Sequence, residues 1–184
     1  MATFIALLRG INVGGNHKLP MAALREQFAA VGASQVRTYI QSGNVVFEAP
    51  MRRGPALCRE TAEALEATFG FPTPIVVRTA KAWAALKAEN PFADEAAANP
   101  KSVHAMLLDR APSPKARAAF TPDCRFGERV HLAKDALYVH FPKGTARSKV
   151  TTRTVDAALQ RLSTSRNWGT VETLASLMAG LPAR

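Results

Sequence analysis

The 184-residue chain is short of several things, and each shortage removes a class of protein. It has two cysteines, Cys58 and Cys124, with no CxxC pair and no metal-ligand spacing. A disulfide scaffold and a zinc module are thereby excluded, no metal or cofactor is expected, and both thiols read as small core or surface residues. No apolar run is long enough to span a bilayer, so no membrane partner is expected. The apolar stretch at residues 4–8 has no basic start and is too short for a signal peptide. It reads as a buried strand, with a cytoplasmic location as the default. Acidic residues are scarce, 14 against 24 Lys and Arg, which leaves a net charge of +10. Neither G-x-G-x-x-G nor G-x-x-x-x-G-K-[ST] occurs, so no nucleotide fingerprint is met. No carboxylate pair has a spacing that implies acid/base work, and His17 and His104 suggest no triad with Ser or Cys.

What is present suits a packed fold. The apolar set is 47% of the chain and charged residues are 21%, which supports a core and excludes compositional disorder. A sequence pI near 10.3 is the electrostatic footprint of a nucleic-acid binder, although net charge alone speaks to non-specific attraction. The partners expected are a nucleic acid or a phosphorylated small molecule.

The order of elements is regular. A strand over residues 3–9 leads into a Gly- and Asn-rich loop over 10–19. Pro20 then opens a helix whose inner positions are Met21, Leu24, Phe28 and Val31, stopped by Gly32. Residues 36–41 and 44–49 read as a hairpin around Ser42-Gly43. Its alternation points Val36, Thr38, Ile40, Val45 and Phe47 to one face and Arg37, Tyr39, Val46 and Glu48 to the other. A helix over 55–69 and a strand over 74–78 complete β-α-β-β-α-β, the ferredoxin-like order. A helix with Trp83 and Leu86 follows, and the Ala- and Asn-rich stretch to Pro100 reads as a linker, with Asp94 and Glu95 solvated. The pattern then repeats: strands at 102–108, 126–132 and 136–141, helices at 112–120 and 152–162, a short strand at 164–167 and a terminal helix at 170–179. The fold class expected is α+β: two tandem ferredoxin-like (βαββαβ) plaits with an extra C-terminal helix. The domains would be residues 1–80 and 101–184, joined by 81–100.

Three constellations bear on function. The loop from Arg9 to Lys18 holds Gly10, Gly14 and Gly15, which let backbone amides approach an anion, with a cation at each end. Glycine also serves a purely structural loop, and the sequence leaves both readings open. The second is the basic stretch Lys143, Arg147, Lys149 and Arg153, which runs into a helix N-terminus where anions are favoured; a solvated loop is the alternative. The third is the second hairpin, where Arg129, His131, Tyr138 and His140 share one face. An open sheet face bearing aromatics and bases suits base stacking, but the RNA-recognition module's R/K-G-F/Y-G/A-F-V-x-F/Y pattern is absent, and packing of this face on the other domain is the alternative.

The segments Leu7-Leu8-Arg9-Gly10-Ile11-Asn12-Val13-Gly14-Gly15, Tyr39-Ile40-Gln41-Ser42-Gly43-Asn44-Val45-Val46-Phe47, Asn90-Pro91-Phe92 and Arg166-Asn167-Trp168 together resemble a bacterial family known as domain of unknown function 1697. The resemblance implies a duplicated α+β plait and no established reaction. It marks Arg9, Gly10, Asn12, Gly14, Gly15 and Lys18, then Gln41, Ser42, Gly43 and Asn44, then Lys149 and Arg166, Asn167 and Trp168. Gly169 stands where a polar Asn is expected in many members, which leaves Gly169 or Thr170, with Glu172, to cap the last helix. In each plait the first and third strands are expected to run parallel, placing Arg9-Gly10 and Ser42-Gly43 at opposite ends of the sheet. The expected ligand-binding residues are Arg9, Asn12, Lys18, Lys149, Arg166 and Asn167. The expected function is a non-catalytic binding protein for an anionic ligand, with an enzyme acting on a small anionic substrate between the domains as the alternative.

Overall fold

The computed structural model describes residues 1–180 as a mixed α+β chain with two four-stranded antiparallel sheets and seven helices. The described residues divide into two units, Met1–Ala85 with residues 174–180, and Leu86–Thr173.

The first unit contains β1 (Ala2–Leu8), α1 (Met21–Ala30), β2 (Ser34–Tyr39), β3 (Asn44–Ala49), α2 (Gly54–Phe69) and β4 (Ile75–Thr79) in chain order. Its sheet runs β2-β3-β1-β4. The strand β1 sits between two partners, and its run from Phe4 to Leu8 is buried on both faces. One face packs on the helices: Phe4, Ala6, Leu8, Val45 and Phe47 meet Leu24 and Phe28 of α1 and Leu57 and Leu65 of α2. Each large apolar side chain of this kind contributes about 1.5–3 kcal/mol when fully buried. Gly32 and Gly70 end the two helices at φ +97° and +76°, as left-handed C-terminal glycines do.

The second unit contains α4 (Ala93–Ala98), β5 (Val103–Leu108), α5 (Pro114–Ala118), β6 (Arg129–Leu132), β7 (Ala136–His140), α6 (Thr152–Leu159) and β8 (Ser163–Asn167). Its sheet runs β6-β7-β5-β8. Met106, Leu108, Leu137, Val139 and Phe141 pack with Val150, Val155 and Leu159. Two helices straddle the division in sequence, α3 (Ala80–Ala88) and α7 (Trp168–Ala179).

Several expectations are corrected. The stretch read as a linker carries helix α4, anchored by buried Ala96. Glu95 is not simply solvated: it pairs with Arg129, which holds its carboxyl below the ordinary range. The first hairpin turns over residues 40–43 rather than two residues, because Tyr39 pairs with Asn44. Ile40 therefore leaves the strand, adopts φ +48° and is 51% exposed instead of facing the core. The face with Arg129, His131, Tyr138 and His140 is not an open stacking platform. Tyr138 is wholly buried and its hydroxyl donates to the Leu86 carbonyl at 2.8 Å.

The expected parallel pairing of the first and third strands is also overturned. β1 and β3 are antiparallel, from Ala2 opposite Ala49 to Leu7 opposite Asn44. The crossover through α1 makes β1 and β2 co-directional, and the β2–β3 hairpin then reverses β3. The end of β1 and the start of β3 consequently meet at the same end of the sheet.

Candidate functional site

That end of the first unit brings two sequence motifs together. The chain leaves β1 at Leu8, whose N–H donates to the Gly43 carbonyl at 2.8 Å. Residues 12–17 then form a small finger. The Asn12 N–H bonds the His17 carbonyl at 3.1 Å, and the Asn16 N–H bonds the Val13 carbonyl at 3.0 Å. Gly14 and Gly15 sit between at φ +58° and +81°, the two positive angles of a type I′ turn. His17 fixes the base of the finger, with Nδ1 3.0 Å from the Gly10 carbonyl and its ring stacked on Phe71 at 4.6 Å.

Asn12 ties the finger to the hairpin turn. Its Nδ2 donates to the Leu19 carbonyl at 3.0 Å and to the Gln41 carbonyl at 2.9 Å, while its Oδ1 accepts from the Leu19 N–H at 2.9 Å. The amide is spent on the fold, so its place in the loop is that of a brace. Gly43 completes the junction: a Cβ there would lie 2.6 Å from the Leu8 Cβ and 2.8 Å from the Ile11 Cδ1. Asn44, fully buried, donates from Nδ2 to the Tyr39 carbonyl at 2.9 Å and to the Ser42 hydroxyl at 3.0 Å.

The outer surface of this junction is cationic. From Arg9 to Arg25 and from Arg37 to Phe47 the chain carries Arg9, Lys18, Arg25 and Arg37 and no carboxylate. Lys18, Asn16 and Gln41 are exposed, and Val13 at the tip is 65% exposed. Among the described residues no acceptor takes the N–H groups of Gly14, Gly15 and Lys18. Such donors and cations suit phosphate oxygens, and exposed amide side chains suit base edges.

The remaining expected residues lie in the second unit. Lys149 is exposed and lines a shallow groove of about 340 Å³ with Phe120, Asp123, Val150 and Thr154. The Asp123 carboxyl there is held low by Arg125 first and by Lys149 in smaller part. The helix that follows offers less to an anion than the sequence suggests. Thr151 and Thr154 form a reciprocal capping box that occupies the Thr154 and Thr151 amides. Arg166 on β8 is only 8% exposed, donates to the Thr164 hydroxyl at 2.9 Å and the Ser165 carbonyl at 2.8 Å, and has its pKa pushed down to about 10 by burial. Asn167 caps α7: its Oδ1 accepts from the Thr170 N–H at 2.9 Å, so the cap is Asn167 and not Gly169 or Thr170.

Two groupings are not evident from the sequence. His104 does not stand alone, since its Nδ1 lies 3.1 Å from the Ser165 hydroxyl across the β5–β8 pair, and burial lowers its pKa. Neither residue lines the groove at Lys149 or the larger cavity of the same unit, so the pair satisfies a half-buried histidine. That larger cavity is the second grouping. It measures about 510 Å³ and is lined by residues from α3, α4 and α7, among them Lys87, Asn90, Trp168, Gly169 and Glu172. Asn90-Pro91-Phe92 and the start of α7 signal it in sequence, but nothing in their spacing joins them.

Comparison with known proteins agrees with this architecture. A family model described as a protein of unknown function, DUF1697, matches residues 1–138. A solved structure, the conserved bacterial protein SP0830 from Streptococcus pneumoniae, is similar at a TM-score of 0.69 and 19% identity, covering 96% of this chain and 98% of that one. At that identity the likeness bears on the fold alone. No curated protein matches. Among the described residues no helix is long and apolar enough to cross a membrane, and no group of three or more His, Cys, Asp or Glu is placed to hold a metal ion.

Proposed function

The chain belongs to the DUF1697 family, and from its own geometry we propose that it is a non-catalytic binding protein for a nucleic acid, engaged at the loop end of the first unit. One observation carries the reading: the Asn12 amide bonds the Gln41 carbonyl at 2.9 Å and so makes one surface from the cationic finger and the hairpin turn. Arg9 and Lys18 supply phosphate-seeking charge, the finger's outward amides add donors, and Asn16 and Gln41 supply the amide chemistry that reads bases. The surface is preorganised, so little ordering cost opposes binding. A phosphorylated small molecule is the lesser form of the same reading, because an exposed finger offers no enclosure. A catalytic reading on a small anionic substrate has less behind it, since the Ser165–His104 pair lines neither the groove at Lys149 nor the larger cavity. The sheet orders β2-β3-β1-β4 and β6-β7-β5-β8 support reading each unit as a ferredoxin-like plait. A cytoplasmic setting is supported by two unbridged cysteines.

The test is fluorescence anisotropy of short single-stranded RNA, single-stranded DNA and duplex probes across a salt series. Binding is expected with log affinity falling linearly in log salt. Replacing Arg9 and Lys18 together by Ala should reduce the slope on single strands by about 1.4, at about 0.7 per lost phosphate contact. Flat traces at low salt, or an unchanged slope in the folded double variant, overturn the reading. Inhibition by phosphate monoesters with no binding of any probe would move it to the small-molecule form.

A further inference from the structure

The second unit offers a different site, which does not depend on the cationic surface of the first. We propose that the cavity between α4 and the start of α7 binds a small zwitterion, an α-amino acid with an apolar side chain. The walls are mostly apolar: Ala93, Ala96 and Ala97 recur at the three- and four-residue spacing of one α4 face, with Pro100 and Trp168 opposite. A volume of about 510 Å³ falls in the range of small-molecule sites and exceeds what a lone ion needs. Trp168 is a fixed wall, 7% exposed and with its ring 6.4 Å from that of Tyr138.

The polar groups select the ligand class. Lys87 and Glu172 both line the cavity and pair with each other, Nζ to Oε2, at 2.7 Å. The lining thus holds one charge of each sign. A simple anion would meet Lys87 but press against the Glu172 carboxylate, and a simple cation would do the converse. A molecule with an ammonium and a carboxylate two bonds apart answers both. The existing pair is partly exposed, at 33% and 48% for the two side chains, and such pairs are weak enough to be parted.

Two further residues of the lining carry amides with no acceptor among the described residues. Asn90 lines the cavity and is 9% exposed; its Oδ1 accepts from the Phe92 N–H at 3.0 Å, while its Nδ2 has no partner among the described residues. An orphaned buried amide costs free energy unless something accepts from it. At the first turn of α7 the Trp168 N–H is taken by the Pro100 carbonyl and the Thr170 N–H by Asn167, whereas no described residue accepts from Gly169. An amide at that position of a twelve-residue helix favours a carboxylate.

The experiment is saturation-transfer NMR and calorimetric titration of the whole chain with leucine, phenylalanine, N-acetyl-leucine and leucine methyl ester. Free leucine or phenylalanine is expected to bind, with the acetylated and esterified forms weaker by at least about tenfold, because each leaves a charged group of the lining unanswered. Glu172→Gln should weaken the free amino acid by about tenfold and strengthen N-acetyl-leucine, because it removes the carboxylate against which an anion presses. Ala97→Phe, at an exposed helix position, should fill the cavity and abolish binding of all four. Failure of both free amino acids to bind overturns the proposal. So does equal binding of N-acetyl-leucine, which marks an anion site, or of the methyl ester, which marks a cation site. Binding that survives Ala97→Phe in a folded protein places the ligand elsewhere and also overturns it. If that variant does not fold, Glu172→Gln decides, since Glu172 stands on the surface.

Discussion

The side-chain amide of Asn12 lies 2.9 Å from the carbonyl of Gln41, twenty-nine residues later, and the same nitrogen bonds Leu19 at 3.0 Å. One residue therefore closes the finger on itself and fastens it to the neighbouring turn. Asn12 also holds φ +53°, a region that asparagine tolerates better than most side chains. Asn12→Ala is expected to lower unfolding free energy by about 2–3 kcal/mol, combining three lost bonds with a poorer backbone fit. Urea titration decides it, and a change below about 0.5 kcal/mol would show that the brace is dispensable.

Glycines at one end of the sheet differ in what they tolerate. Gly14 at φ +58° has open space where a methyl group would be added, so Gly14→Ala should cost only the left-handed strain, about 1–2 kcal/mol. Gly43 at φ +75° would drive its methyl to 2.6 Å from the Leu8 Cβ. Gly43→Ala should therefore cost about 2 kcal/mol more than Gly14→Ala, the added part being overpacking against β1. Equal thermal shifts in the two variants would contradict this.

Asn167 is a helix cap rather than a surface ligand residue. Asn167→Ala should destabilise by about 1 kcal/mol, and Asn167→Asp should recover most of the loss, since either side chain accepts from the Thr170 N–H. An aspartate no better than alanine would refute the capping role.

Burial depresses the pKa of His104 below its ordinary value of 6.5. A group whose proton binds more tightly in the unfolded chain adds stability above that ordinary value and loses it as pH falls through the folded value. The protein should lose stability on acidification below about pH 6.5, and His104→Gln should flatten that part of the curve. Denaturant midpoints between about pH 7.5 and 5.5 measure it; parallel curves for the two proteins would exclude His104 as the source.

The thiols should differ in reactivity. Burial pushes Cys58 up to about 12, while Cys124 is half-buried and raised less. Titration with a chromogenic disulfide at about pH 8 should modify Cys124 first, with Cys58 reacting only after denaturation. Two fast equivalents in the native state would rule this out.

The order of strands and helices was legible because periodicity is local: Leu24 and Phe28, or Val45 and Phe47, declare their faces within a few residues. Helix α4 was missed because alanine and asparagine carry little amphipathic signal, and the buried Ala96 that anchors it is a single methyl. The direction of β1 relative to β3 follows only from the crossover and the hairpin taken together, a property of three strands at once, and that step decides whether Arg9 and Gln41 share a surface. Arg166 looked like a ligand residue because charge usually means exposure, yet it is buried on β8. The Lys87–Glu172 pair joins residues eighty-five positions apart and left no local trace.

The order of the first sheet also bears on how the chain is made. Its central strand β1 is the first to leave the ribosome, but its partners β3 and β4 end at Ala49 and Thr79. At synthesis rates of about 5–20 residues per second, the apolar run from Phe4 to Leu8 waits about 2–8 seconds for β3, and about 4–14 seconds for β4 to cover the other backbone edge. The same arrangement recurs with β5, whose partners β7 and β8 follow it in the chain. Each sheet thus has as its first-made strand the one that most needs shielding, and solubility during translation rests on how fast the later strands arrive.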